Sequence, residues 1–191
     1  MALRKIAQLG HPVLREVARP VTADELRTPA VQGFIDDLIA TMRDASGAGI
    51  AATQVYEKLR IFAVEVRDNP RYPYKPKYPL TLVVNPEVTP LSDTTFSNFE
   101  GCLSIPNLRG RVPRFAEVKV SGLDRNGEQL DFEIRGVTAG TFQHELDHLN
   151  GVLFVDRVVD TKSLCTWDHF ERFEKERFVT EVRELVARWG S

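Results

Sequence analysis

The residues best equipped for chemistry in this sequence stand in one short run, His144-Glu145-Leu146-Asp147-His148. On a helix, residues four apart lie one turn above the other, so both imidazoles face the same point in space. Two ring nitrogens at that spacing can grip one metal ion. Glu145, about 100° round the axis, can reach a metal-bound water. Leu146 points roughly opposite and would anchor the helix to a core. The chain has four histidines, and two of them fall here around a correctly placed glutamate.

A catalytic metal site needs a third protein ligand and a position left for water. The HExxHxxGxxH pattern supplies a third histidine. Gly151 fits it, but position 154 is Phe, so that reading fails at its decisive residue. Glu171 is one alternative, although its helical neighbours point to a solvated face. Cys102, within Glu100-Gly101-Cys102-Leu103-Ser104, is another, since a thiolate is a good ligand and Gly101 allows close backbone approach. A lone cysteine is more often a small buried hydrophobe. Cys165, within the terminal helical pattern, takes that structural reading. A third cluster is Gly47-Ala48-Gly49-Ile50-Ala51-Ala52-Thr53-Gln54. Small residues there let backbone approach a ligand, and Gln54 could offer an amide N–H to an oxyanion. Without the Lys-Ser/Thr of a phosphate loop, nucleotide binding is a poor reading. Taken alone, the segment reads as a plain helix–strand connection.

The elements that must position these residues follow from periodicity. Residues 1–22, with Pro12 and Pro20, read as an extended or looped arm. Thr28-Pro29 begins a helix with a hydroxyl cap and proline in the first turn. Val31, Phe34, Ile35, Leu38, Ile39 and Met42 form its apolar stripe, and Ser46-Gly47 ends it. Strands are expected over roughly 60–66 and 80–85, separated by a Pro-rich surface loop over 67–79. Residues 115–123 and 129–135 alternate around Asn126-Gly127, a hairpin signal. Residues 137–149 read as the helix of the histidine pair, ended by Asn150-Gly151. A long amphipathic helix is expected over about 163–189. The order of elements means α+β with antiparallel or mixed β-sheets.

The composition excludes several classes. With 191 residues, 42% hydrophobic and 27% charged, the chain is long enough for a core and too apolar for intrinsic disorder. Lys and Arg number 25 against 27 Asp and Glu, a net charge of −2, which gives no electrostatic footprint for nucleic acid. No apolar run approaches a membrane span of about 18 residues. The N-terminus lacks a signal peptide's apolar segment. Two cysteines cannot make a disulfide framework, so a cytoplasmic, reducing setting is expected.

Together the three segments resemble the peptide deformylase family. Gly47, Gly49, Ala51, Ala52 and Gln54 match its first motif, Glu100-Gly101-Cys102-Leu103-Ser104 the second, and Gln143-His144-Glu145-Leu146-Asp147-His148 the third. The Gly10-His11-Pro12-Val13-Leu14 arm matches as well. The chain departs from the compact bacterial form in the longer 67–79 segment and in its terminal helix. The resemblance implies a single domain over 1–191, with sheets around a central HExxH helix and a long C-terminal helix. It implies one divalent metal held by Cys102, His144 and His148, with water in the fourth position. That metal is usually Fe(II) in the family, and Zn2+, Ni2+ or Co2+ can substitute. The implied reaction removes formate from N-formylmethionine at the start of new polypeptides. Glu145 would serve as base and then acid, and the Gln54 amide with the Leu103 backbone N–H would stabilise the oxyanion.

By the same alignment Ala48, Gly49, Gly101, Val137, Gly140 and Thr141 would line the substrate pocket. Gly140 would make it roomy, or would only permit close helix–sheet packing. Asp147 is a candidate supporting carboxylate beside His144. Glu100 and Arg114 could pair near the site or lie on the surface. Some relatives are thought to dock on the ribosome through a basic terminal helix, and transient ribosome association is carried over as an expectation. Here residues 163–191 hold Arg172, Lys175, Arg177, Arg183 and Arg188, against Asp168, Glu171, Glu174, Glu176, Glu181 and Glu184, a mixed face. A metallopeptidase and a catalytically silent binding protein are the rival classes. The first lacks its usual Glu or third His, and the second would be expected to have lost a ligand, the base or the Gln.

Overall fold

The computed structural model describes residues 2–68 and 72–191. The N-terminal arm runs without regular strands through a 3-10 turn at Pro12–Arg15 to a short helix, α1 (Ala23–Leu26). The first long helix, α2 (Pro29–Asp44), begins at Thr28, whose hydroxyl accepts from the Val31 N–H. Its apolar stripe predicts which face is buried: Phe34, Ile35, Leu38, Ile39 and Met42 are all in the core.

A five-stranded antiparallel sheet receives that stripe. Its strands are β1 (Gly49–Ala51), β2 (Ile61–Val66), β3 (Tyr78–Pro90), β6 (Glu117–Leu123) and β7 (Gln129–Arg135), in the order β1-β2-β3-β6-β7. The strand β2 is buried along its whole length, because both faces of the sheet are covered. Ile61 and Ala63 pack with α2, and Phe62 and Val64 pack on the opposite face with Ala139, Phe142 and Leu149 of helix α3 (Gly136–Leu149). Phe62, Val64 and Val66 alternate with Ala63 and Glu65 along the strand, and two-sided burial explains why Ile61 and Ala63, on the second face, are apolar as well.

A second antiparallel sheet carries strands β4 (Thr95–Cys102), β5 (Ile105–Phe115) and β8 (Cys165–Thr166), in that order. No strand is predicted over 95–114 from the sequence pattern, and the stretch 115–123 reads as one element. In the structure the chain changes sheets at Ala116, whose N–H donates to the Thr94 carbonyl. The Asn126-Gly127 hairpin forms with a longer loop than a two-residue turn. The Asp124 carboxylate accepts from the Asn126 and Glu128 N–H groups, and Gly127 adopts a φ of 86°.

The terminal helix differs from expectation at its start. Leu164 and Cys165 precede it, and Cys165 pairs with Arg109 of β5 as part of β8. Thr166 then caps a short turn, α4 (Trp167–His169), followed by a π-helical turn at Phe170–Glu174 and by α5 (Lys175–Trp189). The apolar spacing of 163–189 is real, but the hydroxyl of Thr166, accepting from the His169 N–H, fixes the helix start. Within α5, Phe178 and Val182 bury against Phe99 of β4 and Val137 of α3. No helix among the described residues is long and apolar enough to cross a membrane.

Candidate active site

Helix α3 and the hairpin β4–β5 together build the site. On α3, His144 and His148 sit on one face, with ring centroids 4.9 Å apart. Cys102 ends β4, at a register break in the hairpin, and its Sγ lies 3.1 Å from His148 Nε2. Single donor atoms of Cys102, His144 and His148 all lie within 4.8 Å of one another, and all three residues are buried or nearly so. A thiolate and two imidazoles converging at that distance are a donor set fitted to one metal ion.

The electrostatics prepare the same donors. Burial pushes the Cys102 thiol up, but the His148 charge and hydrogen bonds with His144 and His148 outweigh it and hold the group well below its usual value. Burial likewise lowers His144, while hydrogen bonds with Cys102 and Glu100 raise it well above an ordinary histidine. The first shift favours the thiolate that a metal requires; the second favours an imidazolium paired with that thiolate and with Glu100, whose proton must leave when the ring binds an ion.

Glu100, also on β4, orients His144. Its Oε2 lies 2.8 Å from His144 Nδ1, leaving Nε2 of that ring for the cleft. Burial raises the Glu100 carboxyl, yet the Arg114 guanidinium, bound through Nε and Nη2 at 2.7 and 2.9 Å, holds it far below the usual carboxylate range. A surface role for Glu100 and Arg114 is therefore excluded; they are a buried pair. Arg114 also donates to Asp147 at 2.6 Å, and Asp147 accepts two further bonds from Arg157. Asp147 thus supports the arginines, and the carboxylate on His144 is Glu100. Helix-wheel proximity pointed to Asp147, but a wheel sees one helix, and the actual partner comes from a strand.

Glu145 is buried against β1. An added Cβ at Gly49 would lie 2.3 Å from Glu145 Oε1, so the carboxylate occupies space that only glycine leaves free. Burial pushes Glu145 up to about 7, against the lowering pull of His144 and His148. Its Oε2 has no hydrogen-bond partner among the described residues. Gln54 follows on the turn after β1. Its Oε1 accepts from the Ala51 N–H at 2.9 Å, and its Nε2 faces Ser104 Oγ at 3.1 Å and Cys102 Sγ at 3.5 Å. The connection between α2 and β2 is therefore part of the site wall.

Gln54, Cys102, Leu103, His144 and Glu145 share one small cleft with Ala48, Gly49, Gly101, Gly140 and Thr141, of about 50 Å³. Val137 is not part of that wall: it is buried in the cluster under α5. Gly140 lines the cleft and packs closely on β4, where an added Cβ would meet Asn98 Nδ2 and Phe96 Cζ at 3.2 Å, a contact that fits the close helix–sheet packing reading. Gly47, Phe99 and Glu100 also line it, as do Asn98, Tyr72, Lys75 and Arg109. Sequence reasoning passed over these four. Tyr72 and Lys75 belong to the segment 67–79, of which residues 69–71 lie outside the described structure. Pro73, Lys77 and Pro79 are exposed, as expected of a surface loop, but Tyr72 is buried in a cluster with Ala48, Val66 and Trp167.

Comparison with known proteins agrees with this geometry. A family model described as polypeptide deformylase matches residues 3–164. A peptide deformylase 2 of Nostoc sp. is 41% identical over 169 residues, covering 88% of this chain and 93% of that protein. A peptide deformylase of Leptospira biflexa is 43% identical, covering 85% and 91%. A Met-Ala-Ser-bound class I type b peptide deformylase from Acinetobacter baumannii superimposes with a TM-score of 0.79 at 41% identity, over 82% of this chain and 99% of that one. A peptide deformylase structure from Legionella pneumophila covers 98% of this chain and 99% of its own, with a TM-score of 0.72 at 33% identity.

Proposed function

This chain belongs to the polypeptide deformylase family, enzymes that remove the formyl group from N-formylmethionyl peptides, and we propose that Cys102, His144, His148 and Glu145 carry that reaction here. The observation that carries the assignment is the convergence of three metal-binding donors within 4.8 Å, beside a buried carboxylate. The family is metal-dependent, and the donor set suits one divalent ion. Thiolate and imidazole accommodate Fe(II), the family's usual metal, as well as Zn2+, Ni2+ or Co2+. When bound, such an ion supplies Lewis acidity that acidifies water near neutral pH and polarises a carbonyl oxygen.

The chain's own residues then do the rest. Glu145 accepts a proton from the water that attacks the formyl carbon. It returns that proton to the departing amine nitrogen as the C–N bond breaks and formate leaves. Its raised value suits the two roles, because a group near 7 can both take and give a proton. Glu100 fixes the His144 ring through Nδ1, and Arg114 keeps Glu100 charged. Gln54 Nε2 and the Leu103 backbone N–H are the donors assigned to the developing oxyanion. Ala48, Gly49, Gly101, Gly140 and Thr141 shape the cleft for the formylated residue. Val137 acts one layer behind, setting the start of α3.

The reading treats 1–191 as one working domain in the bacterial-type cytoplasm. Transient ribosome contact belongs to it too, since such peptides emerge there. On the terminal helix, however, Lys175 pairs with Glu171 and Arg177 with Glu181, which consumes basic charge locally. The test is anaerobic purification, quantification of bound iron, zinc and nickel, and formate release from formyl-Met-Ala-Ser in the same sample. Release that scales with metal and disappears with a chelator is expected. A fully metallated protein that releases no formate would overturn the reading.

A further inference from the structure

The two groups assigned to the oxyanion, Gln54 Nε2 and the Leu103 N–H, stand on irregular backbone in different parts of the fold. Gln54 belongs to the 3-10 turn Ala52–Val55 that follows β1, and Leu103 to the bend between β4 and β5. Those strands belong to different sheets. The N-terminal arm joins the two segments. The Ala7 N–H donates to the Gln54 carbonyl and the Leu9 N–H to the Ser104 carbonyl, each at 2.8 Å. Between them the Gln8 side chain folds over the bend, and its Nε2 donates to the Leu103 carbonyl at 3.3 Å. The Leu103–Ser104 peptide group is thereby held at both ends, because the Ser104 N–H faces Cys102 Sγ at 3.4 Å. A peptide group is planar, so pinning both ends leaves Leu103 little freedom to turn its own N–H. Ser104, fully buried, closes the ring of contacts, its Oγ accepting from Gln54 Nε2 at 3.1 Å. The arm is itself anchored. Ala7 is buried in a cluster with Cys102 and Ile105, and the His11 ring meets Tyr56 edge-on, 4.9 Å between centroids. Upstream, the Arg4 guanidinium binds Asp37 of α2 and Glu57, at 3.4 and 2.9 Å. Gln8 and Leu9 are exposed, so their donors rather than apolar burial hold them on the bend.

We propose that Ala7–Leu9 is a positioning strap for the two oxyanion donors, with the Leu9 N–H and the Gln8 amide as its working groups. The inference rests on the deformylase reading and on the roles proposed for Gln54 and Leu103, and it extends that site by a segment that does not line the cleft. As the formyl oxygen gains charge, its donors must already stand where that charge appears, since preorganised dipoles act without moving. The strap sets the spacing of the two donors by tying the Gln54 turn and the Leu103–Ser104 bend to residues two apart on one segment. A donor released from that spacing weakens an interaction made chiefly in the transition state, so kcat falls and ground-state binding does not.

The turn Gln8-Leu9-Gly10-His11 permits a test at a single atom. The His11 N–H donates to the Gln8 carbonyl at 3.0 Å and Gly10 has a φ of 101°, the type II pattern in which proline is favoured at the second position. Leu9→Pro therefore keeps the turn and deletes the N–H that reaches Ser104. Leu9→Ala removes the exposed side chain and keeps that N–H. With metal-loaded protein and formyl-Met-Ala-Ser, Leu9→Pro is expected to lower kcat about tenfold or more. KM, bound metal and affinity for the product Met-Ala-Ser should stay within about twofold, and Leu9→Ala should restore the wild-type kcat. Gln8→Leu leaves the turn intact and should lower kcat by a smaller factor with the same unchanged KM and metal; it decides the matter if the proline variant does not fold. Wild-type kcat in both Leu9→Pro and Gln8→Leu overturns the inference. A fall in kcat matched by lost metal or by a rise in KM overturns it too, because a merely structural tie would give that result. Absence of formate release from the wild type overturns the deformylase reading, whereas wild-type turnover with unaffected variants overturns the strap alone.

Discussion

Glu145 is held in a slot made by the absence of a side chain at Gly49, with Oε1 against the bare Cα and Oε2 free of hydrogen bonds to described residues. A carboxylate with one free oxygen beside the metal donors is placed to move protons rather than to hold structure. Glu145→Gln keeps shape and removes proton transfer, so bound metal should be unchanged while kcat falls by roughly 10²–10⁴. Metal analysis and steady-state formate release on the same preparation check both halves. Gly49→Ala tests the slot from the other side. Its Cβ must push the carboxylate away, and a displacement of about 1 Å can cost on the order of 10²-fold in kcat. The expected signature is retained metal with lost turnover; unchanged kcat would show that Glu145 has room elsewhere.

At the scale of elements, the hairpin β4–β5 is bound to helix α3 by charge rather than by oil. Arg114 of β5 joins Glu100 of β4 to Asp147 of α3, all nearly excluded from water. Removing the middle cation leaves Glu100 with only His144 and Asn98, and Asp147 with only the half-exposed Arg157. Arg114→Gln should therefore cost about 3–5 kcal/mol in urea unfolding and lower metal occupancy by releasing Glu100 from His144. This network also explains what was legible in the sequence. Helix α2 could be read, because Thr28-Pro29 and an unbroken apolar stripe state its start and its face. The hairpin could not: Arg109, Arg111 and Arg114 are interspersed with Gly110, Val112 and Pro113, and their burial depends on partners distant in the chain. Its chemistry was visible through Cys102 and Glu100 even so, since motifs report site chemistry where periodicity fails. The place of Lys75 in the cleft wall left no such signal, because a lysine in a Pro-rich loop looks solvated until the loop folds back. A second tie is testable by pH. Glu65 of β2 binds Arg43 of α2 at 2.7 Å and also Arg67, and these bonds depress it below 4.5. A depressed carboxylate contributes stability above its unfolded value and loses it as pH falls through the folded one. Metal-free protein should thus lose stability below about pH 4.5, and Glu65→Gln should flatten that part of the curve in denaturant titrations.

Across the whole molecule, the family model's match ends at residue 164, and the terminal segment beyond it packs against the site from outside. Phe170, Phe178 and Val182 close over Phe99, the neighbour of Glu100, and over Val137 at the start of α3. The chain end reinforces the contact: the Val137 N–H donates to the Ser191 carbonyl at 3.1 Å, and the Ser191 hydroxyl to the Arg135 carbonyl at 2.5 Å. The segment thus clamps both elements that present metal donors without supplying a donor itself. Phe178→Ala opens a cavity in that clamp and should cost about 3–5 kcal/mol. Phe173→Ala, on the 73% exposed side of the same segment, should cost less than about 0.5 kcal/mol. Because the clamp acts through position and not chemistry, kcat per metallated Phe178→Ala molecule should stay within a few-fold of wild type at a temperature well below its melting point. Parallel unfolding curves and formate assays decide the matter: a large fall in kcat without a fall in stability would make the terminal helix a positioning element of the site rather than its buttress.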